Sequence, residues 1–292
     1  MQRFGHLAAA CAVSALVATA CGCSLAKRPA QRMIATFSTN VMEAMTSHPD
    51  PQTAREAAPA FLVMIDGMIR SAPDDAGLLL SGARAYSLFA GGFIDEQDPS
   101  RSILLHAQAK DYALRALRLS EGGAAALAGG FDAFEAYLDR ASQADVPLLY
   151  TAATAWLGWI TAEGSQNARA DLPYVRILLE RCLALDDTCD GGGAHVFFGV
   201  YYAVQPPGFG GDLEKSRAHF DRAFAINGGT NLMHKVLFAR YYARQAFDRD
   251  LFVTTLEQVL AAPDSGDPRY RLSNELARQR AKKLIGLADS YF

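Results

Sequence analysis

Apolar residues recur at helical spacing almost throughout this chain, whereas alternating Val, Ile, Thr and Tyr runs bounded by turns, the mark of half-buried strands, are nearly absent. The pattern predicts an all-α protein. Turn and breaker residues fall at 48–51, 71–73, 91–92, 122–123, 129–130, 191–193, 206–211, 228–229 and 262–263. They divide the sequence into helices of roughly ten to twenty residues, a normal length for a globular protein.

Aligning these segments uncovers a repeat. A first helix in each unit carries a large residue, a small residue four later and an aromatic three after that: Leu79-Ala83-Tyr86, Leu149-Ala153-Trp156, His195-Gly199-Tyr202 and Lys235-Ala239-Tyr242. The small residue lets a neighbouring helix approach and the aromatic, one turn on, fills the groove beside it, as in the tetratricopeptide (TPR) unit. A second helix closes each unit, with Ala109-Ala113-Ala116-Leu117, Val175-Leu179-Cys182, Ser216-Phe220-Ala223 and the looser Phe252-Leu256-Val259. The small residues stand 70, 46 and 40 positions apart, against about 34 in a regular array. The expectation is therefore about four degenerate TPR-like helix-turn-helix repeats in an α-solenoid or superhelical bundle. Residues 94–101 lengthen one connection, and residues 131–140 insert an extra helix after the first unit.

The N-terminus reads as a targeting segment. Arg3 is followed by an uncharged run over residues 7–20 that leads into Cys21-Gly22-Cys23-Ser24, the form of a signal peptide ending in a lipobox. Small residues before the thiol fit both Cys21 and Cys23. Gly-Cys-Ser followed by a polar tether with Lys27, Arg28, Gln31 and Arg32 favours acylation of Cys23. The organisation expected is a signal peptide over 1–22, a lipidated N-terminus and tether over 23–50, and one helical domain over 51–292. The run is too short to span a bilayer comfortably, and no later segment is expected to span one.

Removing Arg3 with the signal takes the net charge from -3 to -4. Without a Lys/Arg-rich tract there is no electrostatic footprint for nucleic acid. Of the five cysteines, Cys182 and Cys189 remain as thiols. In an oxidising compartment they can pair as a disulfide, while Cys182 equally suits a small buried helix position.

The residues that invite catalytic or metal readings do not complete a motif. The segment 208–216, Gly-Phe-Gly-Gly-Asp-Leu-Glu-Lys-Ser, lacks Gly before Lys-Ser, and Glu214 would repel a phosphate. Asp212 there reads as a helix N-cap, and the double Pro and glycines around Phe209 predict a rigid exposed loop. Asp186 to Gly191 has a faint calcium-loop look, but its twelfth position is Phe197 and not Glu. His48, His106, His195, His219 and His234 include no i, i+4 pair, and no Gly-x-Ser-x-Gly elbow occurs. Neither a metal site nor a cofactor is expected. Two Tyr-Tyr doublets stand out in the second half. Tyr202 and Tyr242 are core by the repeat register, and Tyr201 and Tyr241, about 100° away around the helix, are expected to face a concave surface. With Arg240 and Phe209 they form the candidate ligand or partner contacts.

Several segments carry a resemblance to a family: Gly22-Cys23-Ser24-Leu25, Asp145-Val146-Pro147 with Trp156, Leu172-Pro173, Pro206-Pro207-Gly208-Phe209-Gly210-Gly211-Asp212, and Leu272-Ser273-Asn274-Glu275-Leu276-Ala277 with Arg280-Ala281. They resemble the TatT-type T component associated with tripartite ATP-independent periplasmic (TRAP) transporters. The resemblance implies a lipid-anchored periplasmic TPR-like protein, held at the inner leaflet of the outer membrane, that forms a homotrimer. It also implies binding to the periplasmic solute-binding protein and to an apolar ligand, without catalysis. Two other readings stay open at this stage: a general TPR adaptor in envelope assembly, and an enzyme with a dispersed site.

Overall fold

The computed structural model describes residues 36–264 and 266–292, and every regular element among them is helical. Helix α1 is described over 36–46. It is followed by α2 (Pro51–Ser71), α3 (Ala76–Phe89), α4 (Pro99–Leu119), α5 (Gly123–Ala128), α6 (Phe131–Leu138) and α7 (Val146–Glu163). The second half comprises α8 (Gln166–Arg169), α9 (Leu172–Leu185), α10 (Cys189–Val204), α11 (Leu213–Asn227), α12 (Leu232–Leu237), α13 (Arg249–Ala261), α14 (Arg271–Ile285) and α15 (Ala288–Tyr291). Local chemistry sets most of the starts. Asp50 before Pro51 and Asp98 before Pro99 cap α2 and α4, and Asp75, Asp212, Asn231 and Asp248 accept backbone N–H groups at α3, α11, α12 and α13. Each satisfies an otherwise orphaned donor.

The helices pack as successive pairs, α3 on α4, α7 on α9, α10 on α11, and α12 with its continuation on α13. Ala83, Ala153 and Ala239 are fully buried, and Gly199 is buried on α10. In three pairs the aromatic of the first helix meets a ring on its own second helix. Tyr86 lies edge-on to Tyr112 at 5.9 Å, Trp156 stacks on Tyr174 at 5.4 Å, and Tyr202 stacks on His219 at 5.7 Å. The fourth differs, since Tyr242 stacks on Phe238 of its own helix at 4.8 Å and lies under Arg217 of the preceding pair. The inserted segment forms α6, whose Phe134 and Leu138 enter the main core, and a further short helix, α5, precedes it.

That core extends from α2 to α10 and takes in Leu272 and Leu276 of α14. A second apolar cluster joins α12 to α15, and a small one around Val196, Phe220, Ala223 and Phe238 links α10, α11 and the end of α12.

One breaker assignment takes a different form in the structure and another is kept. Gly91 and Gly92 do not end α3, which runs on through a π-helical turn over Ala90–Ile94. Asp95 N–H reaches the Ala90 carbonyl at 3.0 Å, and Phe93 and Ile94 are buried, so tertiary packing outweighs the weak helix propensity of the glycines. The uninterrupted helix Ala76–Ile94 is also long and apolar enough to cross a membrane by length and composition, contrary to the expectation. Half of it is buried within the protein, as a core helix would be. At residues 190–192 the backbone does leave the helix, with φ of 52°, 65° and 87° at Asp190, Gly191 and Gly192. A Cβ at Gly191 would stand 2.3 Å from the Tyr270 hydroxyl, so only glycine serves both the left-handed turn and the close approach of the chain before α14.

Candidate functional site

Helix α14 packs back against α2 and the turn that ends α3. The buried Asn274 fixes its start, accepting from Leu232 N–H at 2.9 Å and donating to the Thr230 carbonyl at 2.9 Å. From there α14 crosses to the first helices. Arg271 donates to the Ser47 carbonyl at 3.4 Å, Arg280 donates to the Gly91 carbonyl, and Lys283 pairs with Glu96. The carbonyl that Arg280 caps belongs to the π-helical turn, so the Gly91-Gly92 pair serves this closure.

Two adjoining clefts lie along the seam. One, of about 260 Å³, is bounded by the turn over residues 91–97 and by Leu276, Gln279, Arg280 and Lys283. The other, of about 390 Å³, shares Gly92, Phe93, Gln97, Leu276 and Gln279 and continues to Pro51, Arg55 and Glu56 of α2. Phe93, Ile94 and Leu276 supply apolar wall. Both acids of the turn are engaged. Asp95 accepts from Ser102 at 2.6 Å and lies 3.0 Å from His106 Nε2. Burial raises the Asp95 pKa, but these hydrogen bonds and the charge of Arg280 outweigh it and hold the carboxyl below its ordinary value. Glu96 is held low first by the Lys283 hydrogen bond, against burial, and further by the charges of Lys283, Arg280 and Arg240.

Arg240 lines neither cleft, although its charge acts on Glu96. It lies in the π-helical turn Phe238–Ala243 that continues α12, exposed and 5.5 Å from the Tyr241 ring centroid. Tyr241 is half-buried beside it. Tyr201 is elsewhere, half-buried on α10, stacked on Phe197 at 5.9 Å and packed against the main core. Tyr202 and Tyr242 are half-buried as well. Phe209 is 80% exposed in the 3-10 turn Pro207–Phe209, so the loop presents it to solvent and away from the seam walls. Cys21 and Cys23 lie outside the described residues. Cys182 and Cys189 stand as free thiols, with burial pushing Cys182 up to about 12 and Cys189 up to about 11.

Sequence reasoning assigned no role to Arg280, Lys283, Phe93 or Gln97. The basic run at the end of α14 is a visible signal, but nothing local says which residues it meets. The histidines also gather where spacing gave no hint. His195 and His219 face each other Nδ1 to Nδ1 at 2.9 Å across α10 and α11, and Asp187 lies 3.5 Å from His195 Nε2. Among the described residues no group of three His, Cys, Asp or Glu side chains is placed to hold a metal ion.

Comparison with known proteins places these features in a wider set. The family model described as "TAtT: TRAP transporter T-component" matches residues 47–292. The chain is also similar to an uncharacterized protein of Treponema pallidum (strain Nichols), at 23% identity over 304 residues covering 98% of this chain and 94% of that relative.

Proposed function

Because the chain belongs to the TRAP transporter T-component family, and so is an accessory component of such a transporter, we propose that it works as a lipid-anchored docking protein for the periplasmic solute-binding protein. The observation that carries this reading is the extent of the family match, which runs from residue 47 to residue 292 and covers helices α2 to α15. In this reading the successive helix pairs are degenerate TPR units. Stacked pairs of this kind form extended binding surfaces, and no part of the role calls for catalysis. Acylation at Cys23, with Cys21 as the second choice, tethers the protein at the inner leaflet of the outer membrane. Tyr201, Arg240, Tyr241 and Phe209 contribute to contacts with the partner or with an apolar ligand, and the working state is a homotrimer.

Native mass spectrometry of protein lacking the acylated cysteine, alone and with the solute-binding protein of the same transport system, tests the proposal. Trimers alone and a defined complex on mixing are expected. Absence of any complex, together with capture of envelope-assembly proteins in its place, would move the role to a general envelope adaptor.

A further inference from the structure

Helix α1 is lightly seated on the body. Ser38, Val41, Met42 and Met45 stand at i, i+3, i+4 and i+7 and form its inward stripe. Of residues 36–46 Ser38 alone is fully buried, and its hydroxyl donates to Ser81 Oγ of α3 at 3.3 Å. Val41, Met42 and Met45 are half-buried against the main core, and the Ser47 carbonyl just beyond the helix accepts from Arg271. Thr36, Asn40, Glu43 and Ala44 are exposed. Helix α2, by contrast, buries six residues, Phe61, Leu62 and Ile65 among them. A helix of 11 residues is marginal by itself, so α1 is held by the surface it covers, and methionines make such a contact adaptable. At Ser81 it covers the flank of α3 that other neighbours leave free: Gly82 packs on Ile69 of α2 and Tyr112 of α4, and Arg84 reaches Thr151 of α7 at 3.1 Å. The family match begins at residue 47, immediately after α1.

We infer that α1 is an exchangeable occupant: the flank of α3 beneath it is a docking groove for an amphipathic helix, kept covered in cis by the chain's own segment. A partner that presents a short helix with apolar side chains at the same i, i+3, i+4, i+7 spacing displaces α1 and takes its place, by the helix-in-groove mode. Until then α1 competes as a tethered ligand, because its link to α2 through residues 47–50 keeps it beside the groove. Residues 24–35 join Cys23 to α1, so the cis occupant is the helix nearest the proposed anchor. The groove does not depend on the solute-binding protein, and it is tested with the chain and its own segment.

The experiment titrates a fluorescently labelled peptide of residues 36–48 with the purified protein lacking the acylated cysteine. Wild type is compared with Met42→Asp/Met45→Asp, which releases α1, and with the milder Met42→Ala/Met45→Ala. The Asp variant should bind the peptide at least about tenfold more tightly than wild type, where the cis segment competes at an effective concentration of order millimolar. The Ala variant should gain in the same direction by a smaller factor. Adding Ser81→Arg to either variant should abolish binding, since it fills the flank of α3 that the peptide takes. In wild type, hydrogen exchange over 36–46 should run at least about tenfold faster than over 51–71, as for a segment that opens without the rest of the body. Equal affinity in wild type and both released variants, no binding by either variant, binding that survives Ser81→Arg, or exchange over 36–46 as slow as over 51–71 would overturn the inference.

Discussion

Gly199 offers the sharpest test of how the helix pairs are held together. A Cβ at this position would lie 2.6, 2.7 and 3.0 Å from three carbons of the Phe220 ring, where carbon atoms normally rest at about 3.5–4.0 Å. The ring has nowhere to go. Phe220 is fully buried, with Phe238 edge-on at 5.3 Å and Phe224 stacked at 6.3 Å. The helices cannot easily part either, because Ser216 on α11 donates to the Gly199 carbonyl at 2.6 Å, inside the contact. Removing a glycine from a helix interior stabilises by about 1 kcal/mol, while forcing bulk into a packed core costs about 1–3 kcal/mol. Gly199→Ala should therefore be near neutral to about 2 kcal/mol destabilising, and Gly199→Leu should lie at the upper end of the overpacking range or beyond. In a protein of this size each kcal/mol lowers Tm by about 2–4 °C. Phe220→Ala alone should cost about 3–5 kcal/mol, but it opens the space that the larger side chain of Gly199→Leu needs. Urea and thermal unfolding of the double-mutant cycle should then give a double variant more stable than the sum of the single effects by at least about 1 kcal/mol. Additivity within about 0.5 kcal/mol, or a Gly199→Leu protein melting with the wild type, would refute the contact and the register that led to it.

Burial lowers the pKa of His234 from 6.5 to about 4, and burial with the charge of His195 does the same at His219. The unfolded chain takes up these protons at the ordinary value, so stability is complete above about pH 6.5 and falls as pH drops toward 4, with the His234 shift worth about 3 kcal/mol at its limit. Tm measured across that window should fall on acidification and fall less in a His219→Gln/His234→Gln double variant; equal slopes would contradict the assignment. Asn274→Ala leaves the Leu232 N–H and the Thr230 carbonyl unpaired, which should cost about 2–4 kcal/mol in urea unfolding, and a midpoint unchanged from wild type would show that α14 is anchored by other contacts. Metabolic labelling with a palmitate analogue should mark the wild-type protein and not Cys23→Ala; label retained there but lost in Cys21→Ala would place the acylation at the other cysteine.

The helical class was legible because it rests on local signals that act in the same direction. The period of the apolar residues, the Asp212 cap and the small-then-aromatic pairs each reflect forces within one turn or between adjacent helices. Gly91 and Gly92 show where such signals end. Read locally they are a break, yet they lie inside a continuous helix because Phe93 and Ile94 are buried and because a guanidinium from residue 280 takes up the Gly91 carbonyl. No window of sequence around residue 91 contains that arginine.

The Tyr-Tyr doublets expose a different limit. The angular argument that two neighbours on a helix cannot share one buried face assumes that the helix has a single buried face. Helix α10 packs on α11 and also against α7, α9 and α12. Tyr202 therefore finds His219 on one flank, while Tyr201 finds Phe197 and the main core on another, and both end half-buried. In a stack of helices, being off the repeat face is not the same as facing open space. Arg240 escapes this confusion, although the turn that carries it also packs against α10, α11 and α13. The residue is exposed, and its charge acts on Glu96 in the segment between α3 and α4. What distinguishes it from the many other arginines is its effect on a carboxylate about 140 positions earlier, which no window of sequence around residue 240 contains. Such a relation is made by the packing of the whole helical body, and periodicity within single helices carries no record of it.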